Sequence, residues 1–277
     1  MKCKIGFIGA SKTGTVLARY FQSKGLKITG FYSRNKQALQ ETLTLVKGTH
    51  FVGIEALVKA SDIIFITTKD SDIEQKYLEI NTDNKYIYHC SGILSSDIFD
   101  MPAKGKGSVH PMTSFHTKQM SLDDVNQVTF AIEGDAAGLE QLSALLNFTQ
   151  NPFVTLNKNK KVEYHIACVA MTNFLVGLVS FAQNLWDDCL EKDNNKNKTH
   201  ELLLNFAEGV IHKLKEGAST KEALTGPLIR QDYETLKKHM KQLTGNDKKI
   251  YQTISLHLLE QFIFDDSVRQ NLLKILR

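Results

Sequence analysis

Apolar and polar positions alternate in two different ways along this chain, and the change comes near residue 158. In the first half, Lys4 to Ile8 has the pattern of a strand, Gly9 to Gly14 that of a turn, and Thr13 to Ser23 that of a helix stopped by Gly25. Lys27 to Tyr32 follows as a second strand, which completes one βαβ unit. Apolar runs at Asp62 to Thr68, Tyr86 to Ser91, Ser108 to Met112 and Val128 to Glu133 continue the alternation, with helices at Ile54 to Ala60 and Ala137 to Phe148. Strands alternating with helices predict an α/β domain, a doubly wound parallel sheet covered on both faces. Beyond residue 158 the segments are long and helical: Val162 to Leu190, His200 to Lys215, Tyr233 to Leu243, Lys248 to Phe264 and Ser267 to Leu276, with no convincing strand. The predicted organisation is a Rossmann-type domain over 1–157 and an all-α domain over 158–277. Asn157 to Lys161 forms the junction and the polar stretch Glu191 to Lys198 a solvated loop. A length of 277 residues suits two domains, and no internal repeat is present.

Composition adds exclusions. A hydrophobic fraction of 42%, a charged fraction of 23% and a net charge of +4 are those of an ordinary globular protein with no basic arm, so no nucleic-acid partner is expected. Cys3, Cys90, Cys168 and Cys189 form no CxxC pair and sit mostly in apolar stretches. They are expected to be buried thiols in a reducing, cytoplasmic setting, with metal or redox use as the alternative and no metal site assigned. The opening MKCKIGFIG has too short an apolar run for a signal peptide. Ile166 to Trp186 carries no charge and is long enough to mimic a membrane span. Thr172, Asn173, Ser180, Gln183 and Asn184 interrupt it, so the expectation is no membrane but the buried centre of a helical domain or dimer.

The first candidate chemistry lies in Gly9-Ala10-Ser11-Lys12-Thr13-Gly14, a GxGxxG frame directly after a strand and before a helix, the context that marks a dinucleotide-binding turn. Gly9 permits the tight turn and Gly14 close helix packing, whereas Ser11 replaces the glycine that lets backbone approach a pyrophosphate. Its hydroxyl could weaken that approach or donate to a phosphate at the helix N-terminus. An acidic residue that would hold an NAD ribose is missing at the end of the second strand. Ser33, Arg34 and Asn35 stand there, and they suit the 2′-phosphate of NADP(H), with NAD or an ordinary solvated arginine as the alternatives.

Ligands of open α/β sheets lie beyond the carboxyl ends of the strands. Thr67 and Thr68, then Ser91, could bracket cofactor ribose and nicotinamide. His110 has the position and ordinary pKa of a proton donor, or it caps a strand end. Lys161, His165, Thr172 and Asn173 share a broad sector of one helix. His165 and Asn173 could orient a substrate or serve as core contacts, and Lys161 reads as one of several lysines in a solvated run. In the turn Leu224 to Asp232, Arg230 could clamp a substrate carboxylate or merely fix the loop with Asp232.

IGFIGASKTGT near the start, SGILSSD from Ser91, SVHPMTSF from Ser108, YHIACVAMTNFLVGL from Tyr164 and LTGPLIRQD from Leu224 together resemble a bacterial family of Rossmann-like proteins. The helical half of that family is catalogued as domain of unknown function 2520. The family is similar to pyrroline-5-carboxylate reductase, ketopantoate reductase, 3-hydroxyisobutyrate dehydrogenase and prephenate dehydrogenase, which implies hydride transfer with NADP or NAD. His110-Pro111-Met112 is similar to a prephenate dehydrogenase motif whose histidine contacts the reacting hydroxyl. The lysine-x-x-x-asparagine motif of the hydroxyacid dehydrogenases is altered, because His165 follows Lys161 by four residues. The resemblance also implies a homodimer through the helical domain.

These readings converge on an NADP(H)-dependent oxidoreductase of a small, carboxylate-bearing hydroxy, keto or imino compound. His110 is the expected acid/base, Arg230 the carboxylate partner, and His165 and Asn173 shape the pocket. The competing expectation is a non-catalytic NADP-binding sensor or partner protein.

Overall fold

The computed structural model describes residues 3–190, 196–262 and 265–277. The predicted loop at 191–198 lies outside the described residues as far as 195, and the last two residues of the predicted helix Lys248 to Phe264 do as well. The chain divides into two compact units, residues 1–171 and 172–277.

The first unit begins β1 (Lys4–Ile8), α1 (Lys12–Ser23), β2 (Lys27–Tyr32), α2 (Lys36–Leu45), β3 (Thr49–His50), α3 (Ile54–Ala60), β4 (Ile63–Ile66), α4 (Asp70–Leu78) and β5 (Tyr86–His89). It continues with β6 (Gly105–Pro111), α5 (Leu122–Asn126), β7 (Phe130–Gly134), α6 (Ala136–Thr149), β8 (Phe153–Thr155) and α7 (Lys161–Val169). The eight strands form one sheet in the order β3-β2-β1-β4-β5-β6-β7-β8. The first six follow the Rossmann order, whose direction reverses between β1 and β4.

One expectation needs correction: the sheet is not wholly parallel. β7 runs antiparallel to β6, and β8 runs parallel to β7. Residues 112–129 between β6 and β7 contain only the five-residue α5. A returning strand requires no long crossover helix.

Period-2 alternation on the central strands builds two cores. Phe31, Phe7, Phe65 and Tyr88 line one face across β2, β1, β4 and β5, with ring centroids 5.3–5.5 Å apart. Ile8, Ile64, Ile66 and Ile87 fill the opposite face against Leu57 and Tyr77. A one-residue slip would exchange these sets, so both faces fix the register. Helix α1 stops where predicted: Gly25 takes φ +82°, and Leu26 N–H returns to the Phe21 carbonyl at 3.0 Å.

The second unit holds α8 (Leu175–Cys189), α9 (Lys196–Lys215), α10 (Thr220–Ala223), α11 (Tyr233–Gln242), α12 (Gly245–Gln261) and α13 (Asp266–Leu276), with no strand among its described residues. Leu228, Leu236, Met240, Leu259, Leu272 and Leu276 make its core. A π-helical turn, Ala170–Phe174, interrupts the single helix predicted over Val162 to Leu190.

That helical run, Lys158–Cys189, is the one described helix long and apolar enough to cross a membrane, and its most apolar window is wholly unburied within the chain. It is therefore not the buried centre of a helical domain within a single chain. Ile166, Met171, Phe174 and Val176 are all more than half exposed. The cysteine expectation also changes. None of the four is in a disulfide, and Cys3, Cys90 and Cys168 are half-buried while Cys189 is exposed.

Gly14 shows how tightly α1 meets the sheet. A Cβ there would collide with Thr67 Oγ1 and lie 3.1 Å from the Gly9 carbonyl oxygen. Thr67 cannot yield easily, because it is buried and donates to that same carbonyl at 2.9 Å. Gly14→Ala is expected to cost about 1–3 kcal/mol in urea unfolding, the range for an overpacked contact. A loss below about 0.5 kcal/mol, the level of an ordinary surface change, would contradict this packing.

Candidate active site

The glycine turn closes the β1 to α1 connection as its sequence requires. Gly9 has φ +107°, and a Cβ there would lie 2.8 Å from the Thr67 carbonyl carbon, so glycine is needed both for the conformation and for the approach. Ser11 is the N-cap of α1: its backbone is extended and its Oγ accepts from Gly14 N–H at 3.1 Å. The Ser11 hydroxyl hydrogen is left available to a phosphate, and the first turn of α1 has no acidic residue to oppose an anion.

A cleft of about 530 Å³ opens at the β1/β4 switch point. It is lined by Gly9, Ala10 and Ser11 from the turn, by Ser33, Arg34 and Asn35 after β2, and by Thr67 and Thr68 after β4. Eight of the predicted cofactor residues thus share one concavity. Asn35 also caps α2 by accepting from Ala38 N–H at 2.9 Å, and the Ser33 hydroxyl oxygen accepts from Asn35 N–H at 3.2 Å, which shapes the loop that carries Arg34. Lys12, Thr13 and Gly14 lie in the first turn of α1, outside the cleft lining. Lys12 borders a separate groove with Glu41 and His116.

Sequence inspection missed Asp72. From the first turn of α4 its carboxylate accepts from Arg34 Nη2 at 2.8 Å across the mouth of the cleft. Arg34 remains 61% exposed, so this contact is a weak, screened ion pair rather than a lock.

Past β5, a second polar group assembles within the same unit. Ser91 is buried and donates through Oγ to Asp70 Oδ2 at 2.8 Å, while the same oxygen accepts from Ile93 and Leu94 N–H. Lys161, expected in a solvated run, is only 2% exposed. Its Nζ donates to the Ser91 carbonyl at 3.0 Å and to Ser108 Oγ at 2.9 Å, which ties α7 to β6 and to the chain just past β5. Burial pushes the Lys161 pKa down, opposed by the fields of Glu133, Cys90 and Asp70.

His110, on β6, is bonded through Nδ1 to the Tyr164 hydroxyl at 2.7 Å. Burial first, then the Lys161 ammonium and His165, lower its pKa to about 4. At neutral pH the ring is uncharged, which corrects the view of it as a group with an ordinary, near-neutral pKa. His89, at the end of the neighbouring β5, is fully buried, accepts from Ser91 N–H through Nδ1 at 3.2 Å and has its pKa lowered to about 3, chiefly by burial.

His165 comes to the same place as His110. A Cβ on Gly92 would lie 2.9 Å from both His110 Nε2 and His165 Nδ1, and the latter atom is buried without a hydrogen-bond partner. Lys161, Tyr164 and His165 stand at i, i+3 and i+4, one helix face; that spacing was present in the sequence and could have revealed the group. Asn173 and Arg230 belong to the second unit. Asn173 Oδ1 accepts from the Thr172 hydroxyl at 2.9 Å inside the π turn. Arg230 is exposed in the predicted turn, and Asp232 caps α11, accepting from Thr235 N–H at 3.1 Å. No group of three or more His, Cys, Asp or Glu side chains suited to a metal occurs among the described residues.

Comparison with known proteins adds the following. Residues 4–87 match the family model described as NADP oxidoreductase, coenzyme F420-dependent, and residues 128–258 match the domain of unknown function 2520. A search of curated proteins found no match. Among solved structures, a Thermotoga maritima protein is 24% identical, with a TM-score of 0.72 over 92% of this chain and 97% of its own. A reductive aminase of Aspergillus terreus, solved with NADPH and ethyl-5-oxohexanoate, is 14% identical with a TM-score of 0.70 over 100% of both chains. A 1-pyrroline-5-carboxylate reductase of Streptococcus pyogenes is 12% identical with a TM-score of 0.61 over 99% of this chain and 97% of its own. These three likenesses show a shared fold. The two family matches, one in each half of the chain, agree with the resemblance of its motifs to Rossmann-like NADP oxidoreductases that carry the domain of unknown function 2520.

Proposed function

We propose that this protein is an NADP(H)-dependent oxidoreductase acting on a small hydroxy, keto or imino acid. The observation that carries the reading is the cleft at the β1/β4 switch point, where the glycine turn and Arg34, distant in sequence, line one concavity. The residues suit the cofactor. The side-chain-free Gly9 and the open N-terminus of α1 cradle a pyrophosphate, while Arg34 with Ser33 and Asn35 meets a 2′-phosphate. When bound, the cofactor supplies or accepts a hydride at its nicotinamide ring.

His110 serves as the acid/base group, working as a neutral imidazole rather than an imidazolium. Ser91 and Ser108 are held in place by Lys161, which presents no free face to a ligand and so positions rather than reacts. His165 shapes the same pocket. Asn173 and Arg230 keep their proposed roles as pocket amide and carboxylate partner on the second unit. The buried Lys161 and the neutral His89 and His110 are costly features for a passive binding protein, which favours catalysis over the sensor reading. The exposed apolar face on 158–189 is covered, in this reading, by a second copy. Light scattering without detergent is expected to give twice the chain mass of 31.2 kDa, and a stable monomer would contradict it.

Calorimetric titration of the wild type is expected to show tighter binding of NADPH than of NADH. Arg34→Ser should weaken NADPH by about 10- to 100-fold, the value of a charge-assisted hydrogen bond, and leave NADH nearly unchanged. Equal losses for both nucleotides, or none, would remove Arg34 from the 2′-phosphate site.

The low pKa of His110 also predicts a pH dependence. Between about pH 6.5, where the unfolded histidine titrates, and about pH 4, where the folded one does, the unfolded chain binds the extra proton. Stability therefore falls as pH drops through that window. Urea melts at pH 7 and pH 5 should show this loss in the wild type and a smaller one in His110→Gln. Equal losses in both proteins would mean that His110 is not held neutral.

A further inference from the structure

A neutral imidazole has one N–H and one bare nitrogen, so the partner of one nitrogen decides what the other can do. In His110 that partner is Tyr164, one helical turn after Lys161. The two rings meet edge to face at 84° with centroids 5.7 Å apart, and the hydroxyl lies 2.7 Å from Nδ1. The opposite nitrogen, Nε2, is the one directed at Gly92. Gly92 is outside the left-handed region, so its conformation does not require glycine; the approach of the His110 and His165 rings does.

Which atom carries the hydrogen in the 2.7 Å contact follows from chemistry. A phenol is a strong donor and a weak acceptor, because its oxygen lone pair is delocalised into the ring, whereas an unprotonated imidazole nitrogen is a strong acceptor. Lys161 adds to this bias, since its Nζ lies 5.7 Å from the Tyr164 ring centroid and a nearby cation makes the phenol a better donor. Burial and then the Cys168 side chain, four residues on, push the Tyr164 pKa up, so the phenol stays protonated and keeps a hydrogen to donate.

We propose that Tyr164 is a positioning residue whose hydroxyl donates to His110 Nδ1 and fixes His110 as an Nε2–H donor directed past Gly92. The inference rests on the reading of His110 as the acid/base group. It sharpens the ligand chemistry as well. An Nε2–H backed by the buried Lys161 cation donates to a carbonyl or alkoxide oxygen, or to the lone pair of an unprotonated imine. A protonated iminium has no lone pair to offer that N–H and would be repelled by the field of the Lys161 ammonium, so the site favours keto and hydroxy compounds over iminium ions. Burial, Lys161 and His165 keep the ring uncharged and so preserve this arrangement at neutral pH.

The test uses the full chain with ¹⁵N-labelled histidine and a long-range ¹H–¹⁵N spectrum at pH 7, with His110→Gln supplying the assignment. Wild-type His110 is expected in a single Nε2–H tautomer. Tyr164→Phe, which removes only the hydroxyl, should convert it to a mixture of both tautomers while the thermal melt stays cooperative. A wild-type Nδ1–H tautomer would overturn the proposal whatever the variant does, and so would an unchanged single tautomer in Tyr164→Phe. Failure of the wild type to bind NADPH would instead reject the cofactor reading and leave the tautomer result standing.

Discussion

The ammonium of Lys161 is the constraint on which the site depends. An isolated charge in a protein interior is several kcal/mol less stable than in water, so it persists only where the surroundings meet its hydrogens. Here the Ser91 carbonyl and Ser108 Oγ do so, and the Tyr164 ring lies alongside. Those bonds set the first turn of α7 against the middle of β6 and the residues after β5. Tyr164 and His165, one turn further, are thereby delivered to His110. The same charge, acting with burial, keeps His110 and His89 neutral. One buried cation thus fixes geometry and protonation together.

The cofactor cleft has a different physical origin. It is a product of strand order, because the succession of strands reverses between the parallel β1 and β4 and leaves a gap beyond their carboxyl ends. Thr67 connects that gap to the packing of α1: its hydroxyl holds the Gly9 carbonyl while its side chain fills the space that Gly14 leaves empty. The glycine frame is therefore a packing motif as well as the proposed binding motif, so substitutions there act on stability. Asp72 lines the same cleft and accepts from Arg34 across it.

Much of this was legible in the sequence where the signal is local. The glycine frame, the Gly25 stop and the apolar strands β1, β2, β4 and β5 each follow from residues within one or two turns of each other. Strand direction is not local, since alternation looks the same in either sense, and β7 and β8 turned out antiparallel to the rest. Short β3 and β8 carry too few residues for a period to show. Lys161 was misjudged because its partners are 53 and 70 residues away, and nothing in the run of lysines around it signals burial. Asp72 escaped for the same reason. Tyr164 was within reach, because its spacing from Lys161 and His165 defines one helix face.

A crystal structure of the chain with NADPH would test the central claim most directly. The account predicts the pyrophosphate on the Gly9 to Gly14 turn, the 2′-phosphate on Arg34 in place of Asp72, and the nicotinamide ring beside Ser91 with His110 Nε2 facing it. A nucleotide bound away from the β1/β4 cleft, or a nicotinamide remote from the Lys161-anchored group, would contradict it.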